Sequence, residues 1–279
     1  MIPNPLLLLP LFLYSLRMVL FVIAIGAVGV TSGTPARAAD RNAAGTDPDL
    51  EFQPRLGSYH YEIHWGPKRV ARVTIRIELE GDQYVLRADQ KSTKFIDRIY
   101  RVRYRGETRI KVADLSPVES LIEEEVRKKK KVQEARYDPQ TGKVRVTETR
   151  SRSDDSAQTT KVYELQDDTG VVDLFSAIFL AQGCQWETGE RHTFMIFIGR
   201  KTYHVILDCI GQGTYKLENR QLPVWIIRPH ARKTTDNKAS SDLEKTTIYL
   251  SADNSNSIVK IKSTLGIGTV RFRLIKHQE

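Results

Sequence analysis

Cysteine is scarce: the 279 residues carry two, Cys184 and Cys209. Two thiols alone make a poor metal site, and the six histidines add no ligand spacing. His60 and His64 fall on one strand face about 13 Å apart at ~3.3 Å per residue, too far to share an ion. No G-x-S-x-G elbow, triad order or acid–base pair is present, so no catalytic residue is assigned and the chain reads as a non-enzyme. Gly266-Ile267-Gly268 lacks the context and spacing of a phosphate loop and reads as a turn. No metal or cofactor is implied. Alternating βα units are also missing, which argues against a parallel sheet.

Acids and cysteines are both absent from residues 1–38. Arg17 precedes an apolar run from Met18 to Val30, then a small polar stretch leads to Ala36-Arg37-Ala38. These are the charged region, apolar region and A-x-A site of a secretory signal peptide, with cleavage expected after Ala38. Without a cysteine the segment has no acceptor for lipid attachment. A second apolar run, Leu6–Tyr14, leaves an uncleaved inner-membrane anchor as the alternative. The address implied is the bacterial periplasm. Cleavage removes Arg17 and Arg37, so Lys+Arg falls from 43 to 41 against 34 Asp+Glu and the net charge from +9 to +7. That excess suits anionic lipid head groups or envelope glycans better than nucleic acid, which an exported protein rarely meets.

Residues 39–56 form a polar linker, and from Ser58 onward the dominant period is two. Tyr59, Tyr61, Ile63 and Trp65 alternate with Ser58, His60, Glu62 and His64; Val73, Ile75, Ile77 and Leu79 alternate with Arg72, Thr74, Arg76 and Glu78. The pattern recurs at Tyr84–Ala88, Val102–Tyr104, Lys143–Thr149, Thr246–Leu250 and Val270–Leu274, separated by Gly- and Pro-bearing turns. It is the signature of half-buried antiparallel strands. Residues 57–279 are read as one β-rich domain. Ser151–Thr160 and Lys233–Glu244 are polar with few apolar anchors and read as loops.

One hairpin is legible to its register. A two-residue Gly199-Arg200 loop pairs Ile198 with Lys201, Ile196 with Tyr203 and Phe194 with Val205, keeping the apolar side chains on one face. Met195 and Phe197 then point to the opposite face, so the strand is covered on both. Val171–Gln182 is apolar nearly all round, which requires burial, and at about 18 Å it is too short to span a bilayer. The simplest arrangement puts this helix inside a curled sheet. Thr93–Tyr100 is a second, shorter helical candidate. Helix and strand together supply a candidate apolar cavity lined by Phe175, Phe179, Met195 and Phe197.

In an oxidising compartment Cys184 and Cys209 read as a disulfide stapling the helix end to the sheet, contributing roughly 3.5 kcal/mol in the chain-entropy model. The register sets Cys209 opposite Glu190, and a turn over 186–189 brings Cys184 back. Two buried free thiols are the alternative. Asp173 is read as a helix cap rather than a catalytic acid. His192 lies near Asp208 across the hairpin and reads as a surface pair. Arg127, Lys128, Lys129, Lys130 and Lys131 follow Glu123-Glu124-Glu125. The run is a solvated strand guarding against edge pairing, with weak docking on lipid phosphates as the functional reading.

Several segments together resemble the bacterial family called domain of unknown function 3108. They are LGSYHYEIHWGPKRVARVTIRIE, FIDRIYRVRYRGETRI, the helix GVVDLFSAIFLAQ and the ending IYLSADNSNSIVKIKSTLGIGTVRFRLI, spanning nearly all of Leu56–Ile275. Tyr249 stands where tryptophan is common in that family, and the Cys184/Cys209 pair is not general to it. The resemblance implies an exported β-rich domain with no established activity. By analogy of fold, helix-plugged open barrels of bacterial envelopes carry lipids or lipoproteins. The expected architecture is therefore an antiparallel, open or partly closed β-barrel around one short buried helix. Its expected role is non-enzymatic, binding an apolar or lipid-like ligand; the alternative is an assembly factor that contacts other envelope proteins and holds no ligand.

Overall fold

A computed structural model describes residues 52, 54–138, 140–152, 155–165, 171–198, 201–234, 243, 245–265 and 268–279. The presequence with its cleavage site after Ala38 lies outside them, as do most of the linker and the Gly199-Arg200 and Gly266-Ile267 pairs. The chain runs β1 (Gly57–Trp65), β2 (Lys68–Glu80), β3 (Gln83–Ser92), α1 (Lys94–Tyr100), β4 (Val102–Lys111), β5 (Pro117–Val126), β6 (Lys129–Tyr137), β7 (Val144–Arg152) and β8 (Asp155–Leu165). It continues through α2 (Leu174–Gln182), β9 (Arg191–Ile198), β10 (Lys201–Leu217), β11 (Arg220–Lys233), β12 (Thr246–Ser251), β13 (Ile258–Leu265) and β14 (Gly268–Gln278).

The fourteen strands of the described residues form one sheet, in the order β8-β7-β6-β5-β4-β3-β2-β1-β14-β13-β12-β11-β10-β9. Every strand pair is antiparallel. The chain thus starts mid-sheet, meanders to the β8 edge, crosses through α2 to the opposite edge at β9, and meanders back until β14 pairs with β1. Among the described residues no ladder joins β8 to β9, so the sheet is a barrel left open. Of the open or partly closed antiparallel barrel that the alternation and the apolar helix imply, the structure is the open form, around a buried helix.

The period of two sorts side chains as expected. Tyr59, Tyr61, Ile63, Val73 and Ile77 are buried on the inner face. On the outer face Arg87 reaches Glu78, Glu80 (2.8 Å) and Glu107 (3.0 Å), and Arg109 reaches Glu80 and Glu107, both at 3.1 Å. Exposed pairs of this kind add little stability individually, but they keep the outer face wet. Gly66, Gly81 and Gly142 take the left-handed backbone their turns require, with φ of 55°, 62° and 66°.

Three local expectations are corrected. The expected loop Ser151–Thr160 is instead the end of β7 and most of β8. As an edge strand β8 leaves residues 157–162 exposed, so polar side chains suit both of its faces and its sequence carries no alternation. The basic run guards no edge, because β6 is paired on both sides, by β5 and β7. Arg127 and Lys128 make the β5–β6 turn, and register sets Glu125 against Lys130 and Glu124 against Lys131. The helix begins at Leu174 rather than Val171, because Asp173 is an extended N-cap (φ −74°, ψ 170°) and Val172 bridges β9.

Candidate functional site

The site is organised by α2 and the two residues before it. Val172 N–H donates to Met195 O, and Phe197 N–H donates to Val172 O, both at 3.0 Å, which ties the segment to the β9 edge. One residue later, Asp173 ties it to the other half of the sheet. Its carboxylate accepts from Phe175 N–H (2.8 Å) and Ser176 N–H (3.2 Å), capping the helix. It also accepts from the Ser176 hydroxyl (2.5 Å), from Tyr137 on β6 (2.8 Å) and, at 3.4 Å, from Thr108 on β4. The Tyr137 hydroxyl in turn accepts from Asp173 N–H at 2.7 Å. Burial first, and the Asp173 charge second, push the Tyr137 hydroxyl well above the usual phenol range, so it stays a donor. Asp173 is a cap and a strut between the sheet halves.

The helix seats because β4 leaves room for it. A Cβ on Gly106 would lie 2.6 Å from the Phe175 ring, so only glycine admits that ring here. Phe175 also packs beside Tyr104, at 5.9 Å between centroids. Phe179 is fully buried, held by Phe52 at 5.4 Å and Tyr84 at 5.3 Å.

Among the described residues, two grooves lie against α2. The first holds about 780 Å³ of unfilled space, counting the part open to solvent, against Tyr59, Tyr61, Ile75, Ile77, Leu86, Gln90, Tyr104, Phe175 and Phe272. The second holds about 640 Å³ against Phe194, Ile196, Val205, Leu207, Ile227, Leu243 and Leu250. Leu174, Ile178 and Ile258 line both, so the grooves meet along one face of the helix. Among the described residues no Lys, Arg, His, Asp or Glu lines either one. Tyr61 stacks on Phe272 at 4.3 Å and donates its hydroxyl to Ile258 O at 3.0 Å.

Of the four residues expected to line a cavity, Phe175 lies on the wall of the first groove, while Phe179 is packed away from both. Met195 and Phe197 belong to a separate apolar cluster with Ala135, Val144 and Val146 of β6 and β7. Alternation along β9 decides this: Phe194 and Ile196 face the grooves, and Met195 and Phe197 face the strands of the far edge. The register of this hairpin is the expected one, Ile198 with Lys201, Ile196 with Tyr203 and Phe194 with Val205. Gln90, which lines the first groove, carries a weak signal in sequence: it continues the inward series Leu86, Ala88 along β3.

Cys184 and Cys209 are free thiols rather than the expected disulfide. Register does bring Cys209 N–H to Glu190 O at 2.8 Å, and Gly189 turns the chain back. The helix exit, however, is held by another element: Asn256 donates to Gln182 O and Cys184 O at 2.8 and 3.0 Å. The sulfurs serve different carbonyls, Cys184 Sγ that of Leu180 and Cys209 Sγ that of Gly211. His192 and Asp208 do not pair either. His192 Nε2 meets Gln185 O at 2.8 Å, while Asp208 meets Arg191 at 2.5 Å and His230 at 3.2 Å. Around the basic run, Arg127 lies over the Tyr100 ring, Lys130 meets Glu123 at 3.5 Å and Lys131 meets Glu148 at 3.1 Å. Among the described residues no His, Cys, Asp or Glu group is placed to hold a metal, and no helix is long and apolar enough to cross a membrane.

An open antiparallel β-barrel closed on a buried helix, with an apolar interior, is the class of protein this fold and site define. The chain belongs to the family described as Protein of unknown function (DUF3108), whose model matches residues 60–275. Among solved structures it is similar to a β-barrel-like protein of domain of unknown function DUF1849 from Brucella abortus. That match has 10% identity and a TM-score of 0.52, and covers 81% of this chain and 98% of that one. A match to the hypothetical lipoprotein YmcC from Escherichia coli has 10% identity and a TM-score of 0.30, covering 81% and 90%. No curated protein matches the sequence. The first of these likenesses is one of fold.

Proposed function

We propose that the protein is exported, acts without catalysis in the bacterial periplasm, and holds an apolar, lipid-like ligand between α2 and the curled sheet. The observation that carries this reading is the pair of grooves meeting at Leu174, Ile178 and Ile258. Both are lined almost wholly by apolar side chains, the lining that small-molecule sites favour. Apolar surface left open to water is unfavourable, and an apolar guest removes it. The basic run adds little attraction to a membrane surface, since Lys130 and Lys131 already face acids.

Native mass spectrometry of protein purified from its own periplasm tests the reading. The expected result is a chain beginning at Ala39 with added mass that organic extraction removes, and the extracted protein taking up phenylnaphthylamine with a rise in fluorescence. Ile178→Trp, which fills the junction of the grooves, should abolish uptake while the protein still melts cooperatively. A bare mass together with no dye uptake by the unmodified chain would rule out the ligand, leaving the reading as an assembly factor.

A further inference from the structure

The first groove holds one group that a purely apolar cavity does not need. Gln90 on β3 is 1% exposed, and neither its Nε2 nor its Oε1 has a hydrogen-bond partner in the protein. Buried polar side-chain atoms are seldom left this way, because the desolvation of the amide is then uncompensated. Two phenols of the same groove are otherwise engaged. Tyr61 donates to Ile258 O, and Tyr59 donates to Arg55 O at 2.6 Å. Tyr104, opposite Gln90 on β4, lines the same groove beside it. Burial chiefly, then the Asp173 and Glu124 charges, push its hydroxyl far above the usual phenol range, so the wall is neutral there.

We propose that the first groove takes an uncharged amphiphile, an acyl chain against the apolar wall with an amide group at Gln90. The ligand's carbonyl would accept from Gln90 Nε2 and its N–H would donate to Oε1, satisfying both atoms at once. This inference rests on the lipid-binding reading and adds the chemistry of the polar group. An ester supplies only the acceptor and leaves Oε1 unpaired. A carboxylate or phosphate would be desolvated with no cation among the described residues of the wall to offset it.

Competition against bound phenylnaphthylamine in the extracted protein tests this, using hexadecanamide, methyl hexadecanoate and hexadecanoate. The unmodified chain should prefer the amide by about tenfold or more, the scale of one buried hydrogen bond. Gln90→Leu should keep the dye and lose the preference while melting no lower, since it removes a buried unpaired amide. Gln90→Met serves if the leucine variant fails to fold. Equal binding of amide and ester by the unmodified chain, or a preference surviving both substitutions, overturns the inference and points to water on Gln90. Failure of phenylnaphthylamine itself to bind overturns the lipid-binding reading and this inference with it.

Discussion

At the scale of single residues, two carboxylates show how this sheet holds its helices. Asp173 is 1% exposed, and its burial is tolerable because charge-assisted hydrogen bonds surround it: two helix amides, the Ser176 hydroxyl and the Tyr137 phenol. Asp173→Ala should cost about 1–3 kcal/mol in urea unfolding, since it removes the cap and the carboxylate that accepts from the Tyr137 hydroxyl. Asp173→Asn, which keeps an acceptor, should cost less; equal losses would mean the cap is incidental. Asp97 of α1 is gripped by Arg103 on β4, Nη2 to Oδ2 at 2.5 Å and Nη1 to Oδ1 at 2.9 Å. That hydrogen-bonded guanidinium, with Ser92 assisting, holds the Asp97 carboxyl below the usual range against its partial desolvation. A depressed carboxyl stabilises the fold fully above its unfolded pKa of about 3.9 and loses that contribution as pH falls through the lower folded value. Melting temperature should therefore drop from about pH 4 downward, and Asp97→Asn should begin lower and drop less over the same scan. Parallel curves for the two proteins would remove Asp97 from the acid response.

At the scale of elements, α2 has two unlike aromatic faces. Phe179 is enclosed by Phe52 and Tyr84, whereas Phe175 borders an open groove on one side. Truncating an enclosed phenylalanine costs about 3–5 kcal/mol, and less where the ring already borders unfilled space. Phe179→Ala should thus destabilise more than Phe175→Ala by calorimetry, and the reverse order would contradict the seating described here. The helix, the short α1 and the β9–β10 register were legible in the sequence, because each rests on local periodicity. The β8 strand was not. An edge strand wetted on both faces has the composition of a loop, so only its ladder with β7 reveals it. The start of α2 was missed for a related reason: Val171 and Val172 are apolar enough for helix, yet they are spent on packing and pairing at the β9 edge.

At the scale of the molecule, the open barrel depends on one short crossing. Among the described residues the β8 and β9 edges are joined by no ladder; instead Val172 bonds to β9, and Phe197 packs near Tyr137 at 6.5 Å. Weakly tied edges open first in native-state exchange, with free energies well below global unfolding. Val172→Pro removes the donor to Met195 O while its carbonyl remains for Phe197. The amides of β9 should then exchange faster, with those of β1 and β14 in mid-sheet little changed. Uniform acceleration across the sheet would show that the crossing supports the whole fold rather than its seam.

The sequence by itself determined the strands, their two faces, the buried helix and its Asp173 cap, since a period of two and an apolar turn of helix are local properties. Family membership was legible in the same segments. Only the tertiary structure decided which face of β9 meets the grooves, that Asn256 rather than a disulfide holds the helix exit, and that Gln90 lies unpaired against an apolar wall. Those outcomes depend on how fourteen paired strands curl around α2. Contacts between residues far apart in the chain follow from that curl, and no local pattern encodes them.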